Sequence, residues 1–363
     1  MARFALDATP LIEPTGGIAR YTRELALALA REFGEDQFWM LSDQPVPEIT
    51  PAEPNLRVGS SPRTALERKW WLWGVEREMA RRGIELFHGT DFATPYFPRR
   101  PSVLTLHDLS PWMCADWQRG TSLPNGVGKR VRQRTPILLR LGLATMTITP
   151  TEAVRRAAIE KFGLDADRVV AVPLAANPDF HPVEADPPRP YFLFVGTLEP
   201  RKNLARLIEA WRWVRAARDI DLVLAGRARS DFTLPPRENG LRVLGAVPEQ
   251  ELARWYSGAT ACLYPSLYEG FGLPALEAMR CGSLAITSRD PAIMEVASGA
   301  AIHVDAEDTK ALAEAMMAAA REPAKFQPLR AKAIERAGQF TWQRTARLTR
   351  EVYEAARRRF RKG

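Results

Sequence analysis

Tyr268-Glu269-Gly270-Phe271-Gly272-Leu273-Pro274-Ala275-Leu276-Glu277-Ala278-Met279 sets two carboxylates on either side of a glycine-rich turn. The turn follows Ala261-Cys262-Leu263-Tyr264, a short apolar run that reads as a strand, and leads straight into an apolar segment that reads as a helix. A strand, a glycine turn and a helix start make an anion site, because the first amides of a helix lack intrahelical partners and its dipole is positive at that end. Glu269 then stands at the mouth of the helix and Glu277 about two turns into it. One carboxylate can hold ligand hydroxyls deep in the site while the other acts near the anion.

The same strand, turn and helix pattern occurs earlier. Phe192-Leu193-Phe194-Val195 runs into Gly196-Thr197-Leu198-Glu199-Pro200-Arg201-Lys202-Asn203, with a helix from about Leu204. Arg can fork two phosphate oxygens and Lys supplies a mobile point charge, so this loop is suited to a diphosphate. Near the start, Thr15-Gly16-Gly17 follows the strand 4–7 and precedes a helix from Ile18 to about Ala30; its glycines allow close backbone approach to a ligand. Leu104-Thr105-Leu106-His107-Asp108 places a histidine at the end of another apolar strand, and His88 ends a further one, where a structural role is the reading.

Outward from these motifs, strands and helices alternate. Strands are predicted at 4–7, 38–41, 86–88, 103–106, 146–149 and 169–172, then at 191–195, 222–225, 242–244, 261–264, 284–287 and 301–304. A helix holding Trp70, Trp71 and Trp73 ends near Gly83, another spans 152–162, and a last one spans about 342–359; the proline-rich stretch 45–62 reads as loop. Alternation of this kind implies parallel α/β sheets, which bind ligands beyond the carboxyl ends of their strands. Pro187, Pro188 and Pro190 interrupt regular structure. The expected division is an N-terminal domain over 1–180, a linker over 181–190, a C-terminal domain over 191–340, and a final helix over 341–363 returning to the N-terminal domain.

Composition narrows the partners. Hydrophobic residues make up 46% and charged residues 26%, and no apolar stretch is long enough to span a bilayer. The opening MARFALDATPL has neither the apolar core nor the cleavage site of a secretory leader. Cys114, Cys262 and Cys281 match no disulfide framework or zinc spacing, which suits a reducing cytoplasm. The net charge of +8 favours an acidic partner. It gathers in Lys129, Arg130, Arg132, Arg134 and Arg140 around an apolar stretch, and in the tail Arg357-Arg358-Arg359-Phe360-Arg361-Lys362. The first cluster suits peripheral contact with a membrane face. Neither forms a recognisable nucleic-acid module, so no nucleic-acid partner is expected.

In this order and spacing, the motifs resemble the E-x7-E signature and phosphate loops of retaining glycosyltransferases of family 4, over nearly the whole chain. The resemblance implies a GT-B fold, with two Rossmann-like domains of parallel sheets facing across a cleft. It implies transfer of a hexose from a sugar nucleotide, with no cofactor and no metal. Asp165-Ala166-Asp167 and Asp219-Ile220-Asp221 precede strands and read as turn chemistry instead of cation ligands. Carried over by motif, Arg201 and Lys202 would stabilise the leaving diphosphate, Glu269 and His107 would orient the donor sugar, and Glu277 would bind the ribose hydroxyls. Gly196, Gly16 and Gly17 would lie beside the diphosphate. The backbone of Gly270, Phe271, Gly272 and Leu273 would face sugar and phosphates, and that of Val247 the base. Thr197 departs from the Arg that many relatives carry.

The form of the 196–203 loop resembles a branch of bacterial mannosyltransferases of surface polysaccharide assembly. That makes GDP-mannose the first-choice donor and a glycan or lipid-linked oligosaccharide the acceptor. The expected location is the cytoplasm, peripherally on the inner membrane face. Two alternatives are a catalytically silent nucleotide-sugar-binding subunit and a sugar-nucleotide epimerase of the same fold. Paired carboxylates would also suit a double-displacement glycosidase, but that leaves the phosphate loops unexplained.

Overall fold

The computed structural model describes residues 1–12, 16–47, 49, 53–62, 64–113, 127–230 and 232–361, without the side chains of 127–132. Thr15, Cys114, Lys362 and the side chains of Lys129, Arg130 and Arg132 therefore lie outside the described residues. The chain forms two compact units. The first takes most of the chain up to Leu174 and the segment from Trp342 onward; the second takes Ala175–Thr341.

The first unit is built on seven parallel strands: β1 (Arg3–Asp7), β2 (Gln37–Leu41), β3 (Leu56–Val58), β4 (Leu86–Gly89), β5 (Ser102–Thr105), β6 (Met146–Thr149) and β7 (Val169–Ala171). Their order is β3-β2-β1-β4-β5-β6-β7. The inner strands are apolar without alternation because helices cover both faces of a parallel sheet; Phe4, Ala5, Leu6, Val103 and Leu104 are fully buried. The proline-rich stretch read as loop contains β3. It is three residues long, sits on the sheet edge and is half-buried to exposed, so it carries no apolar signature. Four helices, α1 (Gly17–Glu32), α2 (Val75–Arg82), α3 (Val127–Arg140) and α4 (Glu152–Phe162), follow β1, β3, β5 and β6. Thr151 caps α4 by accepting from the Val154 amide at 3.2 Å. The C-terminal helix Trp342–Phe360 closes this unit. Its Arg350 lies 4.6 Å over the Phe4 ring and donates to Asp36 at 2.9 Å.

The second unit has six parallel strands: β8 (Tyr191–Val195), β9 (Asp221–Ala225), β10 (Leu241–Gly245), β11 (Ala261–Tyr264), β12 (Ala285–Ser288) and β13 (Ile302–Val304). The order is β10-β9-β8-β11-β12-β13. Between and after them lie α5 (Leu204–Arg215), α6 (Glu249–Gly258), α7 (Leu273–Arg280), α8 (Pro291–Ala297), α9 (Thr309–Arg321) and α10 (Gln327–Gly338). The proline-rich 181–190 has neither helix nor strand and packs onto this unit, with the Val183 amide donating to Ser257 Oγ at 3.1 Å.

Each sheet reverses its strand order once, between β1 and β4 in the first unit and between β8 and β11 in the second. Loops that leave the carboxyl ends of the strands at such a point diverge and open a crevice. In the second unit these are the 196–203 and 265–272 loops, the two that the sequence singles out.

Candidate active site

At the end of β8 the chain turns at Gly196, with φ +148, and the neighbouring loop after β9 turns at Gly226, with φ +149. The two turns nearly touch: a Cβ on Gly226 would lie 1.8 Å from the Gly196 carbonyl oxygen. They are also zipped together, the Leu198 amide donating to the Arg227 carbonyl at 2.9 Å and the Arg229 amide to the Leu198 carbonyl at 3.0 Å. Arg201 and Lys202 follow in a short 3-10 turn that ends at Asn203 in the left-handed conformation, φ +59. The Asn203 side-chain amide donates to the Pro265 carbonyl at 3.2 Å and to the Ala306 carbonyl at 2.6 Å, tying this loop to those after β11 and β13.

Glu269 is the hub. Lys202 Nζ donates to its Oε1 at 2.5 Å and Arg201 Nη1 to its Oε2 at 3.1 Å. Lys202 also donates to the Tyr264 hydroxyl at 2.8 Å. Arg201 reaches the Tyr268 carbonyl at 2.8 Å and Glu199 at 2.8 Å, and Arg229 holds the other Glu199 oxygen at 2.6 Å. The Glu269 amide donates to Asp290 Oδ2 at 3.2 Å. Burial alone would raise the Glu269 carboxyl, but the Lys202 and Arg201 charges overcome it and hold the group at about 2. The same burial lowers the Lys202 ammonium, opposed by Glu269. Burial lifts Asp290 to about 6, although both its oxygens accept backbone amides, Oδ1 those of Ala292 and Ile293 and Oδ2 that of Glu269.

Gly272, φ +89, opens α7, and Pro274 sits in the first turn where no intrahelical amide is lost. Glu277 is the fifth residue of α7, little more than one turn in, because the helix starts at Leu273 and not directly after Glu269. It is buried and accepts the Tyr256 hydroxyl at 2.8 Å. Phe271 is buried edge-on to Phe340, with ring centroids 5.9 Å apart. Val247 lies just before α6, with its side chain packed on the core around Tyr191, Val223 and Cys262. The second unit thus brings Gly196, Arg201, Lys202, Glu269, Gly270, Phe271, Gly272 and Leu273 into the paired loops, with Glu277 one turn deeper.

His107, Gly16 and Gly17 belong to the first unit. Gly16 has φ +92 and precedes α1, and no described atom lies within 4 Å of a Cβ built on either glycine. His107 Nε2 donates to the Thr90 carbonyl at 2.7 Å, and its ring meets Tyr21 edge-on at 4.8 Å. Burial lowers the imidazole from its usual value, opposed by the Thr90 bond and by Asp108. His88 has the structural place read for it: its two ring nitrogens bond the Tyr353 hydroxyl at 2.8 Å and Thr105 Oγ1 at 2.7 Å. Burial pushes it down to about 3.

Several groups at these strand ends escaped the sequence reading. Asp7 ends β1, buried, and accepts the Thr9 amide at 3.0 Å and hydroxyl at 2.7 Å. Asp91, two residues past β4, has an Oδ1 buried without a hydrogen-bond partner. Burial lifts both carboxyls to about 7. In the second unit Tyr264, Glu199, Arg229 and Asp290 were likewise given no role. The available signal was position, since each lies at or just beyond the end of a predicted strand. Asp165 bonds the Asp167 amide at 3.0 Å, as turn chemistry requires, and Asp221 opens β9. Of the other two histidines, His181 bonds the Asp179 carbonyl and His303 bonds Thr287 and the Ser298 carbonyl.

Comparison with known proteins agrees with this layout. The family model of glycosyl transferases group 1 matches residues 177–340, and that of glycosyltransferase family 4 matches 15–180. The chain is 29% identical to O-antigen chain mannosyltransferase B of Escherichia coli, over 95% of this chain and 97% of that protein. It is 25% identical to D-inositol 3-phosphate glycosyltransferase of Kineococcus radiotolerans, over 98% and 95%. Among solved structures, sucrose-phosphate synthase from Thermosynechococcus elongatus superposes with a TM-score of 0.75 at 22% identity, over 98% of this chain and 99% of that one. Anabaena HepE in complex with UDP and glucose superposes with a TM-score of 0.69 at 15% identity, over 98% and 100%. Both units are those of the GT-B fold.

Proposed function

Because the chain belongs to the family 4 glycosyltransferases, we propose that it transfers mannose from GDP-mannose, with retention of configuration, to a glycan or lipid-linked oligosaccharide in surface polysaccharide assembly. The observation that carries the reading is the meeting of Arg201, Lys202 and Glu269 where two loops diverge from β8 and β11. That crevice is where an open parallel sheet takes a ligand, and its cations suit a diphosphate. The resemblance to O-antigen chain mannosyltransferase B supports the choice of sugar.

The donor's diphosphate would lie against Arg201 and Lys202, at the turn of Gly196 and the start of α7. Glu277 would hold the ribose hydroxyls, the backbone at Val247 would meet the base, and Glu269 would orient the hexose. His107 would contact the donor sugar near its reactive carbon, and Gly16 and Gly17 would lie beside the diphosphate. As the bond from the anomeric carbon to the phosphate oxygen breaks, the acceptor hydroxyl forms its bond from the same face. Its proton passes to the departing phosphate oxygen, whose charge the two cations stabilise. No metal is required on this reading. No described helix is long and apolar enough to cross a membrane, while Ile137 and Leu141 stand exposed at the end of basic α3. On this reading the chain works in peripheral contact with the inner membrane face.

The test is a donor screen by mass spectrometry with GDP-mannose, UDP-glucose, UDP-N-acetylglucosamine and dTDP-rhamnose, without added metal and with pooled lipid-linked acceptors. Glu269→Ala and Glu269→Gln serve as controls. Mannose added from GDP-mannose, and lost in both controls, is the expected result. Transfer from another donor would overturn the choice of sugar, and failure to bind any sugar nucleotide would overturn the transferase site.

A further inference from the structure

The turn Trp70–Gly74 divides its aromatic residues. Trp70 is buried in the core, and Trp71 packs edge-on against Phe87 with ring centroids 6.0 Å apart. Trp73 points the other way. It is 40% exposed and stacks on Phe97, itself 58% exposed, with centroids 6.0 Å apart and planes inclined by 26°. Scattered exposed apolar residues are ordinary, but two large rings that stack on one another and still face solvent form a patch that wants a partner.

The charges around the patch are sorted. A cavity of about 240 Å³ beside the rings is lined by Arg77, Arg99 and Arg100 among others, and Arg100 also lines a neighbouring cavity of about 360 Å³ with Phe360 at the end of the C-terminal helix and Arg361 just beyond it. The acids on this face are already matched, Glu76 by Arg100 at 2.7 Å and Glu85 by Arg357 at 2.6 Å. The side chains of Arg77, Arg99 and Arg361 are exposed and form no ion pair among the described residues, while the Arg99 amide donates to Glu76 Oε1 at 3.0 Å. The face therefore carries surplus positive charge around protruding aromatic rings.

We propose that this face, centred on Trp73 and Phe97 and framed by Arg77, Arg99 and Arg361, docks the first unit on an anionic phospholipid surface. Aromatic rings settle at the level of the headgroups, and arginines are drawn to anionic lipid. A second copy of the chain, docked face to face, would set arginine against arginine. Docking would serve the lipid-linked acceptor, and to that extent rests on the reading above. It moves the main membrane contact from the 129–141 segment that the sequence suggests to a face assembled from three separate stretches.

The experiment is flotation of the full chain with vesicles of phosphatidylcholine alone or with phosphatidylglycerol, in 0.15 M salt. The variants are Trp73→Ala/Phe97→Ala, Arg77→Glu/Arg99→Glu and Ile137→Ala/Leu141→Ala, with thermal melts as the check on folding. Expected is flotation only with phosphatidylglycerol, reduced at least tenfold in the first two variants and retained in the third. Sugar-nucleotide binding should be unchanged in all three. Equal flotation on both vesicle types, or loss confined to the Ile137/Leu141 variant, would overturn the assignment. So would self-association removed by the Trp73/Phe97 change without vesicle binding. Failure of the transferase reading would show instead in the donor screen, which these surface variants leave untouched.

Discussion

Replacing Lys202 with Met gives the sharpest test of how the site is held. Lys202 and Glu269 are 6% exposed each and are bonded at 2.5 Å. Removing one partner of a buried ion pair strands the other, at a cost of about 3–5 kcal/mol. The carboxyl gives a second route to the magnitude. Its fall from 4.5 to about 2 corresponds to roughly 3 kcal/mol of stability, at 1.36 kcal/mol for each pKa unit. Arg201 stays on Glu269 in Lys202→Met, so the lower figure is the one to expect. For a unit of this size each kcal/mol moves Tm by roughly 2–4 °C, giving a drop of about 6–12 °C at 3 kcal/mol. The assay is thermal unfolding of the wild type, Lys202→Met, Glu269→Gln and the double variant, followed across pH. A carboxyl depressed in the folded state stabilises fully above its unfolded pKa and loses that contribution as pH falls through the folded one. The wild type should therefore lose the contribution between about pH 4.5 and 2, and Glu269→Gln should lack that acid limb. The double variant should be less destabilised than the sum of the singles. Additivity within about 0.5 kcal/mol, or a Tm unchanged in Lys202→Met, would refute the coupling.

Three further outcomes follow from the geometry. Gly226→Ala should destabilise by more than about 2 kcal/mol, because its Cβ has no room beside the Gly196 carbonyl and φ is +149; Gly163→Ala, with φ +63 but open space, should cost less in the same thermal melts. His88→Ala should destabilise by about 1–3 kcal/mol, since it leaves the buried Tyr353 hydroxyl without His88 and Thr105 Oγ1 with the Tyr21 hydroxyl, while sugar-nucleotide binding measured by calorimetry stays near wild type. Asp7 is raised from 3.8 to about 7, so its favourable contribution is complete below about pH 4 and gone once pH passes about 7. Melts between pH 5 and 8 should show stability falling on the alkaline side, and Asp7→Asn should reduce that fall, leaving the share that Asp91 carries.

The parts of this molecule that were legible in the sequence are those where chemistry and local pattern coincide. The strands β8 and β11, and Phe4–Leu6 within β1, are apolar because both faces of each sheet are covered, and each strand is followed by a glycine or charged motif. Arg201, Lys202, Glu269 and Glu277 could be picked out for that reason. What they bond to could not. Lys202 meets Glu269 across 67 residues, and Glu199 takes Arg229 from the next loop. Asp290 carries no sequence signal of its own beyond its position past a predicted strand, yet it binds the Glu269 amide while capping α8. The strand β3 and the stacked Trp73–Phe97 pair share a different obscurity. Their sequence signals are weak because the edge and the surface impose little pattern.

The bonding of Glu269 limits the chemistry it can perform. A general base needs a pKa near the working pH and an oxygen open to the proton. Here the carboxyl is held at about 2, with Oε1 taken by Lys202 and Oε2 by Arg201. A double-displacement glycosidase would need beside it a carboxylic acid free to protonate a leaving group. Asp290 is the neighbouring acid with a raised pKa, and both its oxygens are filled by backbone amides. Two carboxylates, each locked by its surroundings, make a poor acid and nucleophile pair. Glu269 belongs instead to a rigid frame for cations, which it forms with Glu199. Glu199 and Glu269 hold Arg201, Lys202 and Arg229 in place, so three positive charges are fixed against two negative ones ahead of the proposed donor. Fixed charges of that kind stabilise a departing phosphate without reorganisation during the reaction. Glu269→Gln should accordingly weaken the placement of Lys202 more than it removes a proton acceptor. Its rate loss should be the same at pH 6 and pH 9, whereas a general-base role would give a loss that changes across that range.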